Sequence, residues 1–168
     1  MTETRNSPWT KKEIYGNIIA IIISMSLATF ILLLKSLLFL LLYWLIWAVI
    51  IVVGRAFVCR HCDFLGKPCP TWCMGIIGSK LYKRSNKKDF TEIKIWKFWF
   101  DVGCIALVLL FPLFVYIYYL FSEGLSLLDW ILVTIYFIAG IITFLYHTMG
   151  CKKCNVKGCP LGPKSNLK

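Results

Sequence analysis

Charged side chains, and acidic ones above all, are scarce in this sequence. Asp, Glu, Lys and Arg make up only 16% of the 168 residues, and 8 acidic residues stand against 19 basic ones. Hydrophobic residues account for 59%, and the mean hydropathy is +0.73. A soluble domain carries more charge and less apolar side-chain material, so the composition excludes one and is typical of an integral membrane protein.

Recognisable catalytic motifs are also missing. The sequence has no Gly-rich phosphate loop, no nucleophile elbow and no helical His-Glu-x-x-His zinc-protease motif. Its two histidines, His61 and His147, lie in very different settings, which disfavours a haem held between two of them. We therefore assign no catalytic residues and do not expect an enzyme.

The apolar residues fall into two long runs, each about twice the length that one membrane span needs. They occupy residues 14–54 and 98–149. We predict a helical hairpin from each run, with the first turn at Lys35-Ser36 and a kink at Pro112 in the third span. A single span followed by an interfacial helix is the alternative for the first run. The predicted fold class is an all-α integral membrane protein with four transmembrane helices as two tandem hairpins.

The first predicted span has no cleavage signal behind it. Small residues such as Ser24 and Ala28 lie inside the apolar run rather than after it. We therefore expect a retained helix and not a removed leader peptide.

Basic residues flank the spans on one side only. Residues 1–13, 55–97 and 150–168 contain every Lys and Arg of the chain except Lys35. Because basic loops stay in the cytoplasm, we predict a multi-pass protein of the cell membrane with both termini, a basic Cys-rich loop and a Cys-rich tail on the cytosolic side. The net charge of +11 then faces the anionic headgroups of the lipid bilayer, and nucleic acid is not an expected partner.

Two cysteine motifs repeat one pattern. The first cysteine motif, residues 59–73, has the order Cys, two residues, Cys, Asp, two residues, Gly and then Cys-Pro. The second cysteine motif, residues 151–160, repeats this order with Asn in place of Asp, and the Lys67-Pro68 insert is the only change in spacing. Since each motif follows the second helix of a hairpin, we predict two parallel units related by an axis along the membrane normal.

The residue types in these motifs are those of a metal site. The cytosol keeps thiols reduced, and clustered thiolates there bind metal, with zinc preferring four ligands in a tetrahedron. We predict a cytosolic metal-binding cap with one or two zinc ions. The predicted ligands are Cys59, Cys62, Cys69, Cys73, Cys151, Cys154, Cys159 and His61.

Two arrangements of these ligands remain open. In the first, the four cysteines of the first motif close one site, and the three of the second motif share a site with His61. The second arrangement pairs Cys59 and Cys62 with Cys151 and Cys154, and it would fasten the two hairpins together. The remaining cysteines would then bind the second ion with His61.

Three functions compete on this evidence. The first is a structural metal that shapes a docking or assembly surface for a partner subunit, either in a membrane complex or in the cytosol. The second is an iron-sulfur cluster that transfers electrons, although the spacings of two, six and three residues in the first motif depart from the ferredoxin run. The third is metal-ion transport, which lacks a ladder of polar residues inside the membrane. Thiol redox chemistry is a further use of the cysteines.

Three residues near the predicted cytosolic boundary are separate candidates: Asp101, Cys104 and His147. Asp101 and Cys104 are spaced to share a helix face. We expect Lys97, one turn before Asp101, to neutralise its charge, and we expect His147 to reach the membrane interface.

Overall fold

The computed structural model describes residues 8–69, 71, 74–85, 95–154 and 156, and all of their regular structure is helical. The elements are α1 (Lys11–Lys35), α2 (Leu37–Val49), a π-helical segment (Ile50–Gly54), α3 (Arg55–Cys59), α4 (Met74–Leu81), α5 (Ile95–Ser122) and α6 (Leu127–Lys152). Because α2, the π-helical segment and α3 follow one another directly, they make one long helix, Leu37–Cys59, and four helices are long and apolar enough to cross a membrane. The all-helical chain with four such helices is confirmed; the cytosolic cap and the side of the termini stay predictions.

A single residue separates the first two spans. Ser36 is extended, with φ −165° and ψ 132°. Its N–H donates to the Leu32 carbonyl at 2.8 Å, and its hydroxyl accepts from the N–H of Leu38 at 3.3 Å. Ser36 therefore ends α1 and caps α2 at once, because its side chain replaces a backbone partner that the new helix lacks. The first apolar run divides where the sequence predicted.

Capping boxes start α1 and α6. The Thr10 hydroxyl accepts from the Glu13 N–H, and the Glu13 carboxylate accepts from the Thr10 N–H at 2.9 Å. Ser126 and Asp129 repeat this arrangement at the start of α6, also at 2.9 Å. Each box pairs two helix-end groups that would otherwise lack a partner, so it fixes the first turn of a span.

The most extensive helix contact joins α1 to α6, which belong to different hairpins. Helix α1 carries small residues at every fourth position, which places them on one face and lets a partner helix approach closely. These residues are Gly16, Ala20, Ser24 and Ala28. A methyl group at Gly16 would lie 2.9 Å from the Tyr146 ring, and the Ser24 and Thr143 hydroxyls are hydrogen-bonded at 2.8 Å. Small side chains and one buried polar pair therefore hold α1 against α6.

The π-helical segment connects α2 to the first cysteine motif. A π-helical turn leaves the ordinary hydrogen-bond ladder, and the Ile51 carbonyl accepts instead from the phenol of Tyr82, just after α4. At its end, Gly54 lies against α5, where a Cβ would stand 3.0 Å from Asp101 Oδ1. The absence of a side chain at Gly54 thus allows α5 to come close to Arg55.

An ion pair joins the two hairpins at the end of the bundle opposite the first cysteine motif, which we call the far end. Lys35 Nζ lies 2.8 Å from Asp129 Oδ1, and it stands 5.6 Å and 5.2 Å from the ring centres of Tyr116 and Tyr119. The Tyr119 hydroxyl also donates to the Lys35 carbonyl at 3.1 Å. The charge of Lys35 is thus used within the protein.

Helix α5 runs without interruption through Pro112. The Tyr136 hydroxyl of α6 donates to the Leu109 carbonyl of α5 at 2.6 Å, one turn before the proline. A donor from a neighbouring helix is one way to satisfy the backbone carbonyls that a proline leaves without a partner. The predicted kink stays a prediction.

Large apolar side chains cover the outer surface of all four spans, among them Ile22, Leu41, Phe114 and Ile138.

We expect Ser24→Leu to weaken the contact between α1 and α6, because it inserts a larger side chain there and removes the bond to Thr143. The free energy of unfolding should fall by about 1–3 kcal/mol. The matched control Ser26→Leu adds the same side chain to the exposed side of α1 and should change it by less than about 0.5 kcal/mol. Circular dichroism in rising SDS measures both, and equal losses would contradict this packing.

Candidate metal centre and cavity at the cysteine end

The two cysteine motifs meet at one end of the bundle, where α1 begins and α6 ends; we call it the cysteine end. The indole N–H of Trp9 donates to the Gly150 carbonyl of α6 at 2.8 Å. The same indole packs edge-on against Phe64 of the first motif, with ring centres 4.6 Å apart. Phe64 and Val156 are both buried in one apolar cluster with Trp9. Trp9 therefore lies between the two motifs and contacts both of them.

The two Cys-x2-Cys pairs adopt the same turn. Each pair begins in the last turn of a membrane-spanning helix. The N–H of Cys62 donates to the Cys59 carbonyl at 3.1 Å, and the N–H of Cys154 donates to the Cys151 carbonyl, also at 3.1 Å. The N–H of His61 likewise donates to the Val58 carbonyl at 3.2 Å, and the N–H of Lys153 donates to the Gly150 carbonyl at 3.3 Å. The sequence repeat thus corresponds to a repeated backbone geometry at the ends of two spans.

Cys62 lies among thiols of both motifs. It packs against the apolar cluster to which Cys69 of its own motif belongs, and Cys154 of the second motif packs against the same cluster. Burial raises the pKa of the Cys62 thiol well above its usual range, because a thiolate is poorly solvated there. The Cys69 sulfur accepts a hydrogen bond from the Gly75 N–H at 3.2 Å. Backbone donors of this kind favour the ionised form of a thiol.

The predicted ligands are therefore only partly assembled. Cys73 and Cys159 lie outside the described residues. Within the described part of the chain, no three His, Cys, Asp or Glu side chains form a group that could hold a metal ion. His61 is not among the described residues that line the cavity at this end, whereas His147 is, and His147 Nε2 lies 3.7 Å from Cys151 Sγ. His147 is thus placed beside Cys151, and the role of His61 as a ligand stays a prediction.

A cavity of about 490 Å³ opens between these elements. Its lining is mostly apolar, and five cysteines contribute to it. They are Cys59, Cys62, Cys69, Cys151 and Cys154. Besides the thiols, its charged or titratable side chains are Arg55, Asp101, His147 and Lys152. The cavity thus combines a volume and an apolar character typical of ligand pockets with a few convergent polar groups.

A buried ion pair crosses the bundle beside this cavity. Arg55 Nη1 lies 3.2 Å from Asp101 Oδ2, and the two residues are only 4% and 2% exposed. The prediction that Lys97 neutralises Asp101 is wrong. The Lys97 ammonium group lies over the rings of Phe57 and Trp96, at 5.2 Å and 5.9 Å from their centres. Arg55 belongs to the second span rather than to the loop, so it reaches Asp101 across the helix contact at Gly54.

Cys104 takes no part in the thiol cluster. It lies one turn after Asp101 on α5 and feels the charge of that carboxylate, in agreement with the shared helix face that the sequence predicted. Its side chain is half-buried and does not belong to the cavity lining. Cys104 therefore serves as an internal reference thiol for experiments on the two motifs.

Comparison of the chain with protein-family models, with curated proteins and with solved structures finds no match. The chemistry of the cysteine end is therefore inferred from its own residues. Sequence reasoning missed Arg55, which it assigned to the polar loop. A signal was present, because an Arg directly after an apolar run and an Asp within the next one are the charges that pair inside membrane proteins.

We expect Arg55→Met to destabilise the protein, because it leaves the carboxylate of Asp101 buried without its counter-charge. The free energy of unfolding should fall by about 3–5 kcal/mol. The double variant Arg55→Met/Asp101→Leu removes both charges and should recover more than half of this loss. The exposed pair Arg84–Asp63 gives the control, and Arg84→Met should cost less than about 1 kcal/mol. A double variant as unstable as Arg55→Met alone would contradict the pairing.

Proposed function

We propose that the two cysteine motifs bind one structural metal ion, zinc, which fastens the two helical hairpins together at the cysteine end. One observation carries this proposal: Cys62 of the first motif and Cys154 of the second pack against one apolar cluster, although they stand about ninety positions apart in the sequence. A single ion bound there would connect the end of the second span to the end of the fourth. The ligand set that this neighbourhood favours is Cys59, Cys62, Cys69 and Cys154.

This ligand set differs from both arrangements that the sequence left open. It takes three thiols from the first motif and one from the second, whereas the sequence suggested four and none, or two and two. Four thiolates in a tetrahedron are a common structural zinc site. The ion would draw the four sulfurs together, since these thiols are neighbours without being arranged around a common point. Cys73 and Cys159 remain predicted ligands outside the described residues.

The protonation of the thiols fits a site that metal completes. Because burial keeps the pKa of Cys62 high, its thiol is protonated at neutral pH until a cation displaces the proton. Zinc binding therefore releases protons and becomes stronger as the pH rises. The hydrogen bond from Gly75 to Cys69 then helps to stabilise the thiolate that forms.

The segment between α3 and α5 also needs an additional constraint. Its one described helix, α4, has only eight residues. Among the described residues of the segment, Phe64 is the large side chain that is fully buried. Short segments with so little buried apolar surface fold poorly alone, and a structural metal supplies the missing free energy. A zinc ion at the first motif would thus fix the loop as well as the hairpins.

We expect protein purified in detergent without oxygen to contain about one zinc ion per chain. Cys62→Ser and Cys154→Ser should each lose the metal, because each removes a ligand from one of the two motifs. Cys104→Ser is the matched control, since it removes a thiol outside the cavity, and it should keep the metal. Elemental analysis by mass spectrometry measures the content. A brown protein with iron and acid-labile sulfide would support the electron-transfer alternative instead, and a metal-free protein would overturn both.

We further propose that the cysteine end faces the cytoplasm of the cell. The distribution of basic residues supports this orientation, because every Lys and Arg except Lys35 lies in the segments that border this end. A fluorescent protein fused to the C-terminus should then fold and fluoresce in cells, whereas an alkaline phosphatase fused there should stay inactive. The reverse result would contradict the orientation.

The remaining functions stay predictions from the sequence. They comprise the docking or assembly surface, the partner subunit, the attraction to anionic lipid and the transport of metal ions. For transport, Ser24 and Thr143, two polar residues inside the spans, pair with each other across helices. A transport pathway would instead need a continuous series of ligands across the span.

A further inference from the structure

We propose that α4 is an interfacial helix, which lies in the bilayer surface at the cysteine end and is covered on its outer side by phospholipid. The sequence predicts a polar loop outside the membrane over residues 55–97, whereas the contacts of α4 bring this part of the loop back to the second span. The inference does not require the metal ion, because it rests on those contacts and on the exposed side chains of α4 rather than on thiol groups.

Helix α4 packs against α3, the end of the second span. A Cβ on Gly78 would stand 3.4 Å from the Cβ of Cys59, in the last turn of that span. Just after α4, the Tyr82 phenol donates to the carbonyl of Ile51, which lies eight positions before Cys59 in the same helix. Because about 20 residues cross the hydrocarbon, a span that begins at Leu37 is still inside it at Ile51. The chain therefore lies at the level where the second span leaves the bilayer.

Helix α4 is apolar on one flank and polar on the opposite one. Ile77 and Leu81, one turn apart, are 41% and 52% exposed. Ser79 comes two positions after Ile77, which at 3.6 residues per turn places it about 200° around the helix. The Ser79 flank faces the first motif, because a Cβ on Gly66 would stand 3.9 Å from the Ser79 Cβ. The apolar flank thus faces away from the motif, where the described residues leave it exposed.

Phospholipid is the occupant that this flank favours. The exposed surface of Ile77 and Leu81 is unfavourable in water, and hydrocarbon removes it from water. Basic side chains lie beside it, since Lys80 in α4 and Lys83 directly after it are both exposed. A Lys side chain can keep its stem on apolar surface while its charge reaches a headgroup. Apolar residues on one side with lysines next to them are typical of helices that bind anionic membrane surfaces.

The test uses the full chain in vesicles of phosphatidylcholine, with or without phosphatidylglycerol. A fluorescent amino acid is introduced at one position at a time by amber suppression, which leaves the native cysteines unlabelled. Position 77 reports on the apolar flank, and position 79, which is also exposed, is the matched control on the opposite flank. Quenching is measured with a phospholipid that carries a nitroxide on its acyl chain and, separately, with iodide in the water. The zinc content is measured on the same samples.

We expect the nitroxide lipid to quench position 77 at least about twofold more strongly than position 79, and iodide to show the reverse order, because the apolar flank lies in the acyl region. Phosphatidylglycerol should increase the lipid quenching at position 77, since Lys80 and Lys83 attract its headgroup. Equal quenching of the two positions by iodide would overturn the proposal.

Two further outcomes separate this inference from its alternatives. Protection of position 77 from both quenchers would indicate that a second copy of the chain covers α4, and it would overturn the choice of phospholipid. A protein without zinc that shows the expected quenching would support the interfacial helix and overturn only the metal site.

Discussion

The close contact between α1 and α6 determines how the rest of the bundle is arranged. The two helices come from different hairpins, and they are connected at the cysteine end by Trp9, in the middle by Ser24 and Thr143, and at the far end by Lys35 and Asp129. Because hydrocarbon offers helices no hydrophobic drive to associate, small residues and hydrogen bonds must supply the attraction. This one contact brings the ends of the second and fourth spans to the same place, and with them both cysteine motifs.

Three pairs of polar side chains in the described part of the membrane region join one hairpin to the other. Ser24–Thr143 and Lys35–Asp129 link α1 to α6, and Arg55–Asp101 links the second span to α5. Within the second hairpin, by contrast, α5 and α6 touch only sparsely. The protein is thus held together between its hairpins more firmly than inside the second one. The cavity at the cysteine end is lined by residues of both of these helices.

Hydropathy and composition predicted the four apolar helices and the turn at Ser36, because span length and chain breaks are properties of short stretches of sequence. Pairing is not such a property. The partner of Asp101 was assigned to Lys97, its neighbour along the helix, since proximity in three dimensions depends on the contact that Gly54 allows. For the same reason the sequence did not predict that His147 lines the cavity together with cysteines of both motifs.

The π-helical segment Ile50–Gly54 fixes the direction in which the end of the second span faces. A π-helical turn holds about one more residue than an α-helical turn, and each residue of an α-helix advances the chain by about 100°. The extra residue therefore rotates Arg55 and everything after it relative to an uninterrupted helix. Shortening the span by one residue would leave its hydropathy unchanged, yet it would turn Arg55 away from Asp101 and start the first motif on another side of the bundle. The chemistry of the cysteine end thus depends on a difference in length that no hydrophobicity profile registers.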